Sequence, residues 1–378
     1  MPGNIALYIH VPFCLRKCRY CSFVSYAGRE RQIHLYVESV IRELEKRSRS
    51  ERICSLYLGG GTPSLLPAGD IGKLLAAVDN LFSLDKAAEI TIEANPGTLN
   101  ERYLREIRQI GVNRLSLGIQ SFKDNELKIL GRIHTAEEAA AAVHSARNAG
   151  FDNLNLDLIY GLPGQTETDW RYTLGKAISL APEHFSLYAL TLECNAPLQL
   201  MINAGSLPAI DADLSAGLYE LAEDFLSAYG YRHYEISNWA KPGRQCRHNL
   251  VYWKNLPYLG VGVAAHSFIG GHRLANTANL DTYLNKFSAG KTLTPEFDEA
   301  IGSELALAET VILGLRLGEG INAGDIMYRF HVDIRDRYRR QIDEMVVAGL
   351  LEQADGHLCL TPRGRLLSNE VFWRFLPD

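Results

Sequence analysis

The chain has 378 residues, 47% hydrophobic and 22% charged, with a formal net charge of -5: enough length for two or three domains and a large core, and no global electrostatic footprint for nucleic acid. No apolar run approaches the ~18 residues that would span a bilayer, and the start, MPGNIALYIH, lacks the basic stretch and long apolar run of a secretory signal. Seven cysteines, an odd number with three crowded together, point to a reducing, cytoplasmic setting with metal-binding thiols rather than a disulfide framework.

In chain order, the β-rich run IALYIH (5–10) leads into Cys14, Cys18 and Cys21, spaced C-x3-C-x2-C. Three thiolates leave an open coordination position, where chemistry can happen. The plain alternative is a structural zinc site with His10 or His34 as fourth ligand. A helical stretch from His34 precedes the second strand, ICSLYL (53–58), which runs into Gly59-Gly60-Gly61-Thr62-Pro63. Three glycines let backbone approach a ligand, but the Lys and Ser/Thr of a phosphate loop do not follow. Alone, the run reads as a tight turn. Glu93 lies at the end of the third strand, EITIEA (89–94), and Gln120 follows the fourth, VNRLSLG (112–118). A helix from Ala136 precedes the fifth strand, NLNLDL (153–158), with Asp157 near its end; HFSLYAL (184–190) is the sixth.

Strands alternating with helices imply a parallel sheet with right-handed crossovers, either an open doubly wound sheet or a curved partial barrel. Glycine or polar motifs at successive strand ends point to one shared site, as on the C-terminal face of a β/α barrel. Glu93, Gln120, Arg132 and Asp157 are ordinary singly. Together they suit an amino acid and a ribose, because carboxylates accept from ammonium or hydroxyl groups and Arg pairs with a carboxylate.

From about residue 231 the pattern changes to an aromatic and glycine-rich stretch with few helix signals. It is expected to be irregular and to drape over the main domain. The tail from about 300 is helical, then carries Asp355-Gly356 between two apolar runs, a hairpin signal. Helices followed by a hairpin resemble a winged helix. HVDIRDRYRRQIDEM in this tail is locally basic but interrupted by acids, so no nucleic-acid partner is expected.

The motifs YIHVPFCLRKCRYCSF, GGGTPS, IEANPGT, GVNRLSLGIQSF and NLDLIYGLPGQT, in this order, resemble the oxygen-independent coproporphyrinogen oxidase family of radical S-adenosylmethionine (SAM) proteins. The resemblance implies an α/β fold: a partial (β/α)6 barrel of radical-SAM type over 1–230, the irregular segment over 231–299, and a winged-helix-like α+β domain over 300–378. It implies a [4Fe-4S] cluster on Cys14, Cys18 and Cys21, and a SAM site of Tyr8, Tyr20, Gly60, Gly61, Thr62, Glu93, Gln120, Arg132, Asp157 and Ala189. Two departures matter. Decarboxylating members carry a further Cys two positions after the third cluster Cys, where this chain has Phe23, and a longer segment before the first strand.

Both features resemble the haem-chaperone branch, as does His248-Asn249 followed by Tyr252-Trp253. In that branch the cofactors are the cluster, SAM and haem, and the partner is an acceptor haemoprotein. A membrane-associated acceptor and a homodimer are compatible with this. A neutral imidazole can ligate iron, and Tyr252 and Trp253 offer flat surface to a porphyrin. His248 is therefore a haem candidate, with His10 and His266 as competing ligands. The second reading is a true radical-SAM enzyme on a tetrapyrrole. Its decarboxylating version is disfavoured by Phe23, while haem methylation or ring opening stays open.

Overall fold

The structure, a computed structural model, describes residues 4–48, 51–288 and 294–377. Strands β1 (Asn4–Val11), β2 (Arg52–Gly60), β3 (Ser83–Ala94), β4 (Arg114–Gln120), β5 (Leu154–Tyr160) and β6 (His184–Ala189) pair in parallel in that order. Helices α1 (Ile33–Arg47), α2 (Ala68–Leu81), α3 (Glu101–Gln109), α4 (Asp124–Leu130), α5 (Ala136–Asn148) and α6 (Glu167–Ser179) lie in the crossovers. Apolar strand positions such as Leu7, Ile9, Leu56, Leu58, Leu115 and Leu156 are fully buried in one core with Val40, Leu74 and Trp170 of the helices. That is why these strands read as apolar runs. Capping boxes at Thr135/Glu138 and Thr166/Asp169 fix where α5 and α6 begin.

Within 231–299, expected to be irregular, the described residues 231–288 and 294–299 instead extend the sheet at both edges. After α7 (Pro197–Asn203) and α8 (Ala212–Ala228), β7 (Arg232–Glu235) and β8 (Asn238–Ala240) form a hairpin whose β8 pairs antiparallel with β6. Helix α9 (Arg247–Trp253) precedes β9 (Tyr258–Val261), which pairs parallel with β1 on its other side. Strands β10 (His266–Ile269), β11 (His272–Ala275) and β12 (Phe297–Ala300) continue outward, giving 12 strands in one sheet among the described residues, with the six parallel strands β1 to β6 forming the partial barrel. The pattern hid this because β9 joins a strand some 250 positions earlier in the chain, and local periodicity carries no sign of such a partner.

Beyond α10 (Leu280–Ser288), helices α11 (Ser303–Gly314) and α12 (Ala323–Phe330) open the C-terminal unit. Its short sheet has the order β13-β15-β14, from β13 (Ile321–Asn322), β14 (Leu351–Ala354) and β15 (His357–Leu360). Asp355 and Gly356 turn the hairpin with positive φ of 48° and 81°, as a type I′ turn requires. This unit has its own core around Val311, Leu315, Ile342 and Phe375. It is tied to α9 and its exit: Arg316 stacks 4.4 Å over the Trp253 ring, Asn255 Nδ2 donates to Thr310 Oγ1 (3.0 Å), and Arg329 donates to the Lys254 and Asn255 carbonyls.

Candidate functional site

Motif residues from the C-terminal ends of β1 to β6 converge on one cleft of about 570 Å3. Cys14, Cys18, Cys21, Tyr8, Tyr20, Gly60, Gly61, Thr62, Glu93, Gln120, Arg132, Asp157, Ala189, His248 and Tyr252 all line it. Trp253 does not: it faces a second cavity of about 810 Å3, reached across Tyr8, Ser22, Phe23 and Tyr252, which line both.

The cysteine loop is docked onto the glycine turn. Gly61 N–H donates to the Val11 carbonyl (2.8 Å), Thr62 N–H to the Phe13 carbonyl (2.7 Å), and Thr62 Oγ1 to Cys14 Sγ (3.5 Å). A Cβ on Gly61 would stand 2.7 Å from the Phe13 oxygen and 3.1 Å from Cys14 Sγ, so this position holds the thiol by having no side chain. Gly60 has φ +114°, and a Cβ there would meet the His10 ring at 2.5 Å. From the other side Arg132 donates to Cys18 Sγ (3.4 Å) and to the Gly118 carbonyl (2.6 Å). The Cys21 thiol is pushed up first by burial, with Cys18 and Cys14 adding to the shift. Each thiolate formed makes the next harder until a cation shares the charge.

The donor set fits an iron–sulfur cluster, which takes one thiolate per iron. Among the described residues no His, Cys, Asp or Glu trio is close enough to hold a single metal ion. The histidines considered as a fourth zinc ligand are committed elsewhere. His10 Nε2 donates to the Val24 carbonyl (2.8 Å), leaving Nδ1 to accept from Tyr8 Oη (3.1 Å), and His34 pairs with Asp70 (2.5 Å).

Deeper in the cleft, Tyr57 Oη donates to Glu93 Oε1 (2.8 Å) and Gly60 N–H to Oε2 (3.0 Å). Burial, with Asp157 nearby, pushes Glu93 up to about 7. Asp157 accepts from Asn155 Nδ2 (2.7 Å) and Ser116 Oγ (3.2 Å), and burial raises it too. Gln120 closes β4 with φ +69° after a register shift, a costly conformation for a side chain with a Cβ, held where the strand meets the cleft. Sequence reasoning missed Tyr57, Arg114, Asn155 and Ser186, which also line the cleft. Their signal was available: each is a polar residue at an alternate position of an otherwise apolar strand.

His248 is 1% exposed, and both its ring nitrogens are engaged, Nδ1 with Ser55 Oγ (3.0 Å) and Nε2 with Tyr252 Oη (2.8 Å). Burial, with Arg114 adding, drives it down to about 3, so the imidazole is neutral. Phe23 is 66% exposed and lines both cavities.

The Radical SAM superfamily model matches residues 8–177 and the HemN C-terminal domain model residues 303–367. The chain is 34% identical over 371 residues to "Heme chaperone HemW" of Lactococcus lactis, covering 98% of this chain and 97% of that protein. It is 36% identical over 385 residues to the Escherichia coli protein of the same name, covering 99% and 98%. Among solved structures, coproporphyrinogen III oxidase (HemN) from Escherichia coli, a radical SAM enzyme, superimposes with a TM-score of 0.86 at 25% identity, covering 99% of this chain and 90% of that one. With end-to-end similarity and the cysteine loop seated on a partial barrel, the chain belongs to the HemW family of radical-SAM proteins.

Proposed function

We propose that this chain is a haem chaperone of the cytoplasm that holds a SAM-chelated [4Fe-4S] cluster, binds haem and passes it to an acceptor haemoprotein. The observation that carries the reading is identity along nearly the whole chain to proteins named haem chaperones. Phe23 in place of a further Cys agrees with it. Cys14, Cys18 and Cys21 would hold the cluster, and Tyr8, Tyr20, Gly60, Gly61, Thr62, Glu93, Gln120, Arg132, Asp157 and Ala189 would hold SAM. When bound, the cluster would supply the electron that cleaves SAM in radical-SAM chemistry. The chain's own residues orient the ligand: Arg132 and the Glu93–Asp157 pair present one cation and two carboxyl groups to an amino acid and a ribose. Among the described residues all seven cysteines are free, which suits a reducing compartment.

The likeness to HemN favours the alternative, a radical-SAM enzyme on a tetrapyrrole. Two assays separate the readings. The haem-loaded chain, mixed with an apo-haemoprotein, is expected to build the acceptor's Soret band faster than free hemin at equal concentration. The cluster-loaded chain, given coproporphyrinogen III, SAM and a low-potential reductant without oxygen, is expected to yield no protoporphyrinogen IX. Product formation would establish the enzyme and displace the chaperone.

A further inference from the structure

We propose that the second cavity is the tetrapyrrole seat and that His266, not His248, supplies the axial imidazole to the iron. The inference rests on the haem-chaperone reading and deepens it.

The cavity measures about 810 Å3, within the ~300–1,000 Å3 that buries a small-molecule ligand. Its walls suit a flat apolar macrocycle. Tyr252, Tyr258 and Trp253, one face of which Arg316 covers, line it with aromatic surface, and Ile312 and Leu313 of α11 add aliphatic surface. Its titratable groups are few. Arg273 and Glu309 neutralise each other through a two-pronged pair (2.6 and 2.9 Å). His10 is buried, held neutral by that burial, and bonded at both nitrogens. Burial pushes the Tyr8, Tyr252 and Tyr258 hydroxyls up, which leaves them as neutral phenols, and the one further titratable group is His266, at the start of β10.

Hydrogen-bond accounting then separates the three candidate imidazoles. A ligating nitrogen must offer its lone pair to iron. His10 and His248 would each break an existing hydrogen bond to do so. The His266 ring is exposed and, among the described residues, has no hydrogen-bond or ion-pair partner. Its backbone is fixed by pairing with Ala275 and by the close packing of Gly260 under its carbonyl, 2.0 Å from where a Cβ would lie. The imidazole is thus uncommitted while the strand that carries it is rigid. Phe23 (66% exposed) and Leu376 (40% exposed) stand at the rim, so the acidic edge of a porphyrin can remain in water. Tyr8, Ser22, Phe23 and Tyr252 form the partition with the cysteine cleft, which seats the tetrapyrrole beside it rather than in it.

The test is titration of the full chain with ferric hemin, followed by the Soret band and by electron paramagnetic resonance. The wild type is expected to show imidazole ligation. His266→Ala is expected to lose that signature and bind at least tenfold more weakly, with free imidazole restoring the spectrum. Ile312→Trp, which fills the cavity from α11, is expected to weaken hemin binding at least tenfold while the cluster's absorption is unchanged. His266→Ala retaining wild-type spectrum and affinity would overturn the ligand assignment. Ile312→Trp binding hemin normally would overturn the location. A wild-type chain that binds no hemin would defeat the chaperone reading itself, a failure distinct from either.

Discussion

The Glu93 carboxyl is held by groups that pull its proton affinity in opposite directions. Burial and the nearby Asp157 raise it to about 7, against the lowering hydrogen bonds from Tyr57 and Gly60. A carboxyl whose folded pKa exceeds its unfolded value of 4.5 binds more protons when folded. Its contribution is therefore fully present below about 4.5, lost as pH rises towards about 7, and absent above. Glu93→Gln keeps the neutral form at every pH. Its amide oxygen can accept from Gly60 while its amine donates to Tyr57 Oη, so both contacts survive. The ligand-free variant is expected to match the wild type near pH 4.5 and to exceed it by up to roughly 3 kcal/mol above pH 7. Urea unfolding across this range checks it, and a constant difference would mean that Glu93 titrates normally. Glu93 and Gln120 were legible because they stand at the ends of β3 and β4, where a polar residue interrupts an apolar run, whereas Asp157, expected near a strand's end, is the middle residue of β5. Tyr57 and Arg114 carry the same alternating signal but were not singled out, because Tyr is an ordinary β residue and an Arg that opens a strand, as Arg114 does, passes as a solvated end. Yet Arg114 is 1% exposed inside the barrel.

At the scale of elements, α9 decides what each residue of the His248–Trp253 motif can touch. His248 and Tyr252 are four apart and share a face, which the 2.8 Å bond between them records. Trp253, one position on, is turned about 100° away and faces the second cavity instead. Read without a helix, the motif looks like one aromatic patch; read on a helix, it divides between two cavities. The stretch gave few helix signals because the helix is only seven residues long and starts from Cys246 without a side-chain cap. The adjoining β9–β10 connection depends on glycine. A Cβ at Gly260 would lie 2.0 Å from the His266 oxygen and 2.8 Å from its carbonyl carbon. Because these atoms are backbone, no rotamer change relieves the clash, and β10 must move off β9. Gly260→Ala is expected to cost at least about 2 kcal/mol in chemical denaturation. A change within 0.5 kcal/mol would show that the hairpin yields freely.

In the whole molecule, the two cavities are built from different parts of the chain yet share one partition. The cleft draws on the barrel's strand ends, whereas the second cavity adds β10, β11 and α11, so it exists only where the C-terminal unit closes on the sheet. In the basic run of the tail, acids neutralise three of the arginines: Arg337 pairs with Glu304, Arg339 with Asp336 and Arg340 with Glu344. Two of the four shared residues, Ser22 and Phe23, directly follow Cys21. Whatever fixes the three thiols therefore fixes one wall of the second cavity, and a ligand pressing on that wall acts back on the thiols. Such coupling must be reciprocal and is typically worth 1–3 kcal/mol, or about 5–150-fold in affinity. Hemin affinity is accordingly expected to change at least fivefold between the cluster-free chain and the reconstituted chain with SAM. In the converse experiment, hemin is expected to alter SAM affinity of the reconstituted chain by the factor that SAM alters hemin affinity. Phe23→Ala, which removes the largest shared side chain at the rim, is expected to reduce both factors together. Hemin titrations of the cluster-free, cluster-loaded and SAM-loaded forms measure the couplings directly. Equal affinities in all three would mean that the partition is rigid and the cavities act independently.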